Sequence, residues 1–494
     1  MTTGGIHHHG LELKGHYMYG ITRRALIALT TIAALGFLGA CSDDDNGITN
    51  PPPPAGEGAA TLSGSISGNR TLSADTTYTL SGFVQVASGA TLKIEAGTRI
   101  VGDTTVPGSS LWILRGAKID AQGTADAPIV FTSAKAEGSR KPGDWGGIII
   151  VGNGLINRTA NPIFTEGPDN ASQNYAGDTD NDDNSGILRY VRIEFAGFDV
   201  SNGGGQELNS LSSYAVGRGT TYDYIQSLAG LDDSFEFFGG AVDARHLVSY
   251  EAGDDHFDWS EGYSGRGQFL IALQTRVLQP VANAGTVSSD PRGFEGDGCE
   301  ANKAGCTYAN APYSMPVWAN FTVIGPGPGV YAQTDGNGAV IRRGSGGTFV
   351  NGIVARWPGV GISVRDAESN ALLALDSLMV RNVILAENGS NFEAAGTNFG
   401  SNLDVPANEI RSLTAAGSAA ALFTSLDPAS LDFTPAAGSE AASGGLATFP
   451  AIIADRGKSV FGQAGNDVTA TSYVGAVDPA GPKWFDGWTA YDAN

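Results

Sequence analysis

Short apolar runs rich in β-branched and aromatic residues alternate with Gly-, Asn-, Asp- and Ser-rich segments along most of the chain after residue 60. Clear examples are residues 91–95, 111–114, 128–132 and 147–151. Each run has the length and composition of a β-strand bounded by turns. The pattern therefore predicts an all-β fold, with its main body over residues 61–400.

The spacing of repeated segments predicts how these strands are arranged. Residues 231–236 recur at 253–258 with an offset of 22, and Asn320, Asn351 and Asn382 follow one another at intervals of 31. Coils of this length favour a parallel β-helix, whose like positions stack about 4.8 Å apart. A β-propeller, with blades of about 40–45 residues, fits the interval poorly. We expect a single solenoid with long loops.

The C-terminal part, residues 401–494, is predicted to hold closing coils and a cap. A solenoid must cover its open end. Trp484, Phe485 and Trp488 supply the apolar surface for this purpose.

Composition and charge narrow the range of functions. The chain has 70 Gly in 494 residues, which suits many tight turns, and its net charge is −22. An acidic surface disfavours nucleic acid and anionic lipid as partners but is compatible with cations. The Gly-rich segments 203–206 and 344–347 lack the context of a phosphate loop, so no nucleotide is expected.

The N-terminal region is predicted to be a targeting signal and not part of the folded domain. Arg23 and Arg24 precede an apolar run over residues 25–40, as in a secretory signal, and the translation start is either Met1 or Met18. Residues 38–41 (LGAC) resemble the bacterial lipobox, which implies lipidation of Cys41. The alternative is a plain secretory signal with an incidental cysteine.

The segments around Cys41 define the predicted domain boundaries. Residues 1–40 form the leader, and residues 41–60 form a Pro/Gly-rich tether after the lipidated cysteine. Ser42 and the acidic run 43–45 resemble sorting signals of lipoproteins destined for the outer membrane and cell surface. We expect anchoring there through the lipid, with the periplasmic face as the alternative.

Two further cysteines, Cys299 and Cys306, are seven positions apart. In an oxidising export compartment this spacing favours a local disulfide over a metal site, because no further Cys or His lies nearby.

An acidic ladder is the sharpest chemical feature. Stacking at an offset of 22 would place like charges over one another, and we expect the following pairs: Asp232 with Asp254, Asp233 with Asp255, and Glu236 with Asp258. Such pairs either raise a pKa or hold a cation between them. Three interpretations stay open: solvated turn carboxylates, a Ca²⁺ site and a catalytic carboxylate group.

The catalytic interpretation needs a base or a substrate clamp beside the ladder. Asp233, Asp255, Arg245 and His256 are the candidate catalytic residues. Trp259 and Arg266 are candidate ligand-binding residues, with core packing as the competing role for the tryptophan.

A second acidic segment contains Asp178, Asp180 and Asp182, at the alternate spacing of a Ca²⁺ loop. It departs from an EF-hand, because Asp183 replaces the glycine at the sixth position and Arg189 the glutamate at the twelfth. A Ca²⁺ site and an ordinary Asx turn are both consistent with it.

Four longer motifs then indicate a family: residues 144–148 (DWGGI), 186–197 (GILRYVRIEFAG), 232–240 and 473–478 (YVGAVD). They resemble bacterial surface lipoproteins with pectin-lyase-like right-handed parallel β-helices. The resemblance implies such a fold over most of the chain, although the Trp-Ile-Asp-His motif of pectate lyases is missing.

The functional hypothesis is a lipid-anchored surface protein that binds an extracellular polysaccharide or an outer-membrane protein with the help of Ca²⁺. The alternatives are a polysaccharide lyase or glycoside hydrolase that uses the acidic ladder, and a structural envelope or adhesion protein.

Overall fold

The computed structural model describes residues 58–331, 336–393, 396, 398–458 and 467–491. The predicted leader, Cys41 and tether residues 42–57 lie outside the described residues. Of the helices within these ranges, none has the length and apolar composition needed to cross a bilayer.

The first eleven strands are short, in keeping with the short apolar runs of the sequence. They are β1 (Gly58–Leu62), β2 (Ser65–Ile66), β3 (Arg70–Leu72), β4 (Thr76–Leu80), β5 (Phe83–Val86), β6 (Thr91–Ile94), β7 (Arg99–Gly102), β8 (Ser110–Ile113), β9 (Lys118–Gln122), β10 (Ile129–Ser133) and β11 (Ile148–Val151).

The middle of the chain alternates long and short strands. They are β12 (Gly186–Glu194), β13 (Phe198–Asp199), β14 (Glu207–Leu208), β15 (Leu211–Tyr214), β16 (Thr221–Leu228), β17 (Phe235–Phe238), β18 (Asp243–Tyr250), β19 (Phe257–Ser260), β20 (Arg266–Leu273), β21 (Arg292–Asp297) and β22 (Val317–Ile324).

The last third adds short strands and a few brief helices. The strands are β23 (Asn337–Arg342), β24 (Gly347–Val350), β25 (Ile353–Ala355), β26 (Val360–Val364), β27 (Leu378–Arg381), β28 (Ile384–Ala386), β29 (Ser390–Phe392), β30 (Arg411–Leu413), β31 (Phe423–Ser425) and β32 (Asp432–Pro435). The α-helices are α1 (Ala367–Ala374), α2 (Glu440–Ser443) and α3 (Ala451–Arg456), and 3-10 turns cover Gly400–Leu403, Pro406–Asn408, Ala420–Leu422 and Pro428–Ser430.

Two large sheets hold nearly all of these strands. Sheet 1 has seventeen strands and sheet 2 has eleven, and the pairings within both are parallel. From β15 to β23 the chain visits the two sheets in turn, so each coil contributes to both. This alternation confirms the all-β, parallel β-helix architecture. The coils reach β30, which pairs with β28, so they continue beyond residue 400.

Each long strand of sheet 1 bends at one residue with positive φ, and these residues form a row along the corner of the helix. Tyr190, Tyr224 and His246 stack with ring centroids 4.3 and 4.2 Å apart. Further along the row, Asn382 Nδ2 donates to Asn351 Oδ1 at 2.8 Å. The left-handed backbone costs about 1–2 kcal/mol per residue, and side-chain stacking offsets that cost.

The interior is filled by side chains that point inward from both sheets. Phe257 lies between Phe235 and Phe294, with ring centroids 5.5 and 5.4 Å from theirs. Because side chains alternate along a strand, the residue that follows each of these phenylalanines points outward. Sheet 2 therefore carries its polar ladder on the outer face.

The C-terminal segment corrects one expectation. Trp484 and Trp488 do not cover the last coil: both pack edge-on against Tyr224, and Trp488 also packs against Tyr190, in strands of the middle coils. The reason is that the bent corner of sheet 1 presents a row of aromatic and amide side chains that needs covering. Gln226, for instance, accepts a hydrogen bond from the Ala490 N–H at 2.8 Å.

Candidate functional site

The outer face of sheet 2 carries a vertical row of carboxylates. Glu236 of β17 pairs in register with Asp258 of β19, and Asp258 pairs with Glu295 of β21. Their inward neighbours belong to the hydrophobic core, so the register of the core fixes the register of the acids. The predicted stacking of Glu236 on Asp258 is therefore present, with Glu295 as a third member.

A second row lies at the turns that precede these strands. Asn209 Oδ1 accepts the N–H of Asp233 at 3.0 Å, Asp233 Oδ1 accepts the N–H of Asp255 at 2.8 Å, and Asp255 Oδ1 accepts the N–H of Arg292 at 2.6 Å. Each side chain thus satisfies a backbone donor one coil further on. Asp233 and Asp255 have a structural reason to be there whatever else they bind.

Loops bring further acids over these two rows and close a cavity of about 170 Å³. Twelve carboxylates line this acidic cavity, together with Ser260, Lys303 and Arg343: Glu166, Glu207, Asp232, Asp233, Glu236, Asp254, Asp255, Asp258, Glu261, Glu295, Asp297 and Glu300.

Arginines neutralise one side of the acidic cavity. Arg292 pairs with Asp255 at 3.2 Å and also with Glu295, and Arg342 pairs with Glu295 at 2.7 Å and with Asp297 at 2.8 Å. Arg158 also pairs with Glu261, at 2.9 Å. Arg343 pairs with Glu300 at 2.7 Å. Among the described residues, no ion pair reaches the remaining seven of the twelve carboxylates: Glu166, Glu207, Asp232, Asp233, Glu236, Asp254 and Asp258.

Two groups of three carboxylates converge within this unpaired half, and they share Asp233. One contains Asp232, Asp233 and Asp254, and the other contains Asp233, Glu236 and Asp258. In each group one oxygen per residue lies within 4.8 Å of the others. Because Ca²⁺ binds oxygens at 2.3–2.6 Å, three oxygens at such separations can share one ion. The donor set is hard oxygen throughout, which fits Ca²⁺.

Asp258 is the most telling member of these groups. It is 8% exposed, and its Oδ1 is buried with no hydrogen-bond partner. An unpaired buried carboxylate oxygen is costly, because neither water nor protein compensates its charge. A cation at this point would supply the missing partner.

The pKa values of these carboxylates also show that their negative charge is not compensated. Burial, reinforced by the Glu295 and Asp297 carboxylates, raises the pKa of Asp258 well above its ordinary value. Burial also raises the pKa of Asp254 and of Glu166 to about 7. Without a bound cation, the acidic cavity retains protons near neutral pH.

A disulfide-closed loop supplies the one lysine of the lining. Cys299 and Cys306 are joined, and Lys303 lies between them with its ammonium 5.8 Å from the ring centre of Phe238. Burial opposes its charge, but the carboxylates of Glu166 and Glu261 outweigh this effect and raise the pKa of Lys303. The ammonium therefore stays charged in the acidic cavity.

The predicted catalytic partners do not join this site. Arg245 and Arg266 lie on β18 and β20 of sheet 1, where Arg266 is ion-paired with Asp243 and Arg245 donates to the Asp467 carbonyl. His256 lies inside the solenoid with Nδ1 2.6 Å from Ser249 Oγ, and burial lowers its pKa to about 3. Arg245 and Arg266 belong to the other sheet, and His256 lies in the turn before β19 with its ring buried, so none of them reaches the outer face of sheet 2.

Trp259 is likewise not a ligand platform. It is fully buried in the core, and its Nε1 donates to Ser345 Oγ at 3.0 Å. Its neighbour Asp258 points outward, so a tryptophan one position along the strand has to point inward.

The loop that contains Asp178, Asp180 and Asp182 does not gather its carboxylates in the described structure. No three of its oxygens converge as those of the acidic cavity do. Asp180 Oδ1 accepts the Asp182 N–H at 3.0 Å, and Asp178 lies 3.9 Å from Arg115. These contacts are typical of an Asx turn.

The 22-residue repeat does not predict several of the acidic residues that line the cavity. Glu166 and Glu261 belong to no 22-residue pair, and Glu166 reaches the site on a long loop. Glu295 follows Asp258 by 37 positions, because an extra loop lengthens that coil. The one available signal was the resemblance of residues 292–297 (RGFEGD), with a phenylalanine before the acid, to residues 257–258 (FD).

Fold and site together define a parallel β-helix with an acidic, cation-compatible cavity on the outer face of one sheet. The chain belongs to the family of the pectate-lyase like beta helix domain, whose model matches residues 64–425. Comparisons with curated proteins and with solved structures find no match.

Proposed function

We propose that the protein binds Ca²⁺ in the acidic cavity and, through the bound cation, the acidic groups of an extracellular polysaccharide. The observation that carries the proposal is the convergence of unpaired carboxylates around the buried Asp258. Membership of a pectate-lyase-like family supports a polysaccharide as the ligand. A cation bound by several protein carboxylates keeps open positions that a sugar carboxylate can occupy.

Binding is favoured over cleavage by the groups that line the acidic cavity. Lyase chemistry at a cation site needs a base that takes a proton from the substrate. A bound Ca²⁺ would lower the pKa of the carboxylates around it, Asp254 included, and so weaken them as bases. Lys303 and Arg343 are the lining cations, and the pKa of Lys303 is raised, which keeps it protonated. Asp255, a candidate catalytic acid of the enzyme alternative, already accepts hydrogen bonds from the backbone N–H and the guanidinium of Arg292.

Titration calorimetry of the purified protein tests the proposal. Ca²⁺ should bind with measurable heat, and an acidic polysaccharide should bind only when Ca²⁺ is present. The variant Asp258→Asn should lose both responses, while Asp180→Asn, in the exposed Asx turn, should keep them. Ca²⁺ binding without any polysaccharide response would favour the structural envelope or adhesion alternative. New reducing ends or unsaturated products would instead favour the enzyme.

The proposal also includes anchoring to the outer membrane through lipid on Cys41, with the β-helix at the cell surface. It is supported by the similarity of residues 38–41 to a lipobox and by the Pro-rich segment before the first strand. Cell fractionation checks it: Cys41→Ala should move the protein out of the membrane fraction. Protease treatment of intact cells distinguishes the surface from the periplasmic face.

A further inference from the structure

A second depression adjoins the acidic cavity and shares two chain segments with it. This groove, of about 740 Å³, is lined by Thr165, Gly167 and Gln206 among others, whereas Glu166 and Glu207 line the acidic cavity. Neighbouring residues of both segments therefore face different depressions. The segments around residues 164–167 and 206–207 thus border both depressions.

The groove carries Phe164, which is 59% exposed. It is the one exposed aromatic side chain among the described residues. Its neighbours Ile163 and Thr165 are 2% and 1% exposed, so alternation along the chain directs the phenylalanine outward.

The backbone around Phe164 is held in place. Thr165 N–H donates to the Gln173 carbonyl at 2.9 Å, and Ile163 N–H donates to Asn174 Oδ1 at 3.0 Å. Phe164 and Asn174 form an antiparallel bridge. The exposed ring is thus presented by a pinned loop, as a binding platform requires.

The charge of the groove contrasts with that of the acidic cavity. Asp169 is its one titratable lining residue, and it lies at an exposed position, while Ser172, Ser201 and Gln206 offer hydroxyl and amide groups. Nothing in this lining compensates a negative charge on a ligand. An aromatic face with hydroxyl and amide partners suits a neutral sugar ring.

We propose that this groove is a subsite for a neutral sugar unit, bound next to the acidic unit in the acidic cavity, with the ring of Phe164 stacked on it. The preferred ligand is then an acidic heteropolysaccharide that alternates charged and neutral units, not a polymer of uronic acid alone. Phe164 and Glu166 are two residues apart, at most about 7 Å along an extended chain, so neighbouring units can occupy both places. The inference rests on the proposed function.

Calorimetry in Ca²⁺ with two tetrasaccharides tests the subsite: one of uronic acid only, and one that alternates uronic acid with neutral hexose. The alternating tetramer should bind more tightly. Phe164→Ala should weaken it about tenfold and leave a single uronic acid unit unaffected. Phe164→Tyr should retain the affinity. Leu375→Ala, which removes an apolar side chain 72% exposed elsewhere, should have no effect.

The outcomes separate the two proposals. If neither tetramer binds in Ca²⁺, the proposed function fails. If both bind but Phe164→Ala changes neither affinity, or the all-uronic tetramer is preferred, the acidic cavity stands and the neutral subsite is refuted. A Phe164→Ala variant that unfolds at the wild-type midpoint confirms that lost affinity reflects the subsite.

Discussion

Replacing Asp258 by asparagine should make the cation-free protein more stable. Asp258 lies in a group whose oxygens are within 4.8 Å of one another, and its Oδ1 has no partner. Two charges at 4.8 Å repel by about 3.5 kcal/mol at an effective dielectric constant of 20. Because burial keeps part of the group protonated, we count one ionised neighbour. The expected gain in the free energy of unfolding is about 3 kcal/mol at pH 8.

Calcium should reverse the order of stability. At a free concentration 1,000-fold above Kd, a ligand that binds only the folded state adds about 4 kcal/mol. The wild-type protein gains this amount, and Asp258→Asn, which lacks one ligand, gains much less. The wild type then becomes the more stable protein by about 1 kcal/mol.

Urea titrations at pH 8, in a chelator and in excess Ca²⁺, measure these four stabilities. Asp180→Asn serves as the control, since it neutralises an exposed turn acid and should change stability by less than about 0.5 kcal/mol in either buffer. Lower stability of Asp258→Asn in the chelator would show that the protein itself compensates this charge. An equal gain from Ca²⁺ in variant and wild type would show that the ion lies elsewhere.

Three further predictions concern the cavity and the corner of sheet 1. Because the pKa values of Asp254 and Glu166 are raised to about 7, the folded protein holds more protons than the unfolded chain between about pH 4 and 7. Its stability in chelator should therefore fall as pH rises through this window, and Ca²⁺ should flatten the profile, as urea midpoints at several pH values would reveal. Lys303→Met should raise Ca²⁺ affinity about fivefold, because a competing positive charge leaves the cavity; unchanged affinity in calorimetry would contradict this. Asn351→Ala should lower the free energy of unfolding by about 3 kcal/mol, because it removes hydrogen-bond partners from the Leu446 N–H and from Asn382 and leaves alanine at positive φ. Asn351→Gly should lower it less, and equal losses in urea titrations would rule out a backbone contribution.

Repeat spacing carried most of the information about the fold. The offset of 22 residues matches the register of Glu236 with Asp258, and the 31-residue interval matches the hydrogen bond between Asn351 and Asn382. Both follow because each coil must return the same inward side chains to the core. The path of the C-terminal segment could not be predicted this way, since Trp488 recognises a surface formed by coils nearly 300 residues earlier.

The site was predictable only where it obeys the repeat. Glu236 and Asp258 were found because they stack. Glu166 arrives on a long loop, and Glu261 lies at the turn after β19, where the preceding coil has Gly239 and no acid. Arg245 and His256 are near the ladder in sequence, yet one faces outward from the other sheet and the other faces into the core. Within a coil of 22 residues, closeness along the chain therefore does not predict on which sheet, or on which face of it, a side chain lies.

The return of the C-terminal segment over the middle coils bears on how the molecule completes its folding. In a simple solenoid each coil touches its neighbours, and stability accumulates one coil at a time. Here Gln268 accepts a hydrogen bond from the Thr469 N–H, and Asn320 donates one to Thr471, so one late segment fastens several earlier coils together. The corner of sheet 1 therefore stays exposed during synthesis until the C-terminal segment emerges. Docking of that segment then couples coils that would otherwise unfold independently.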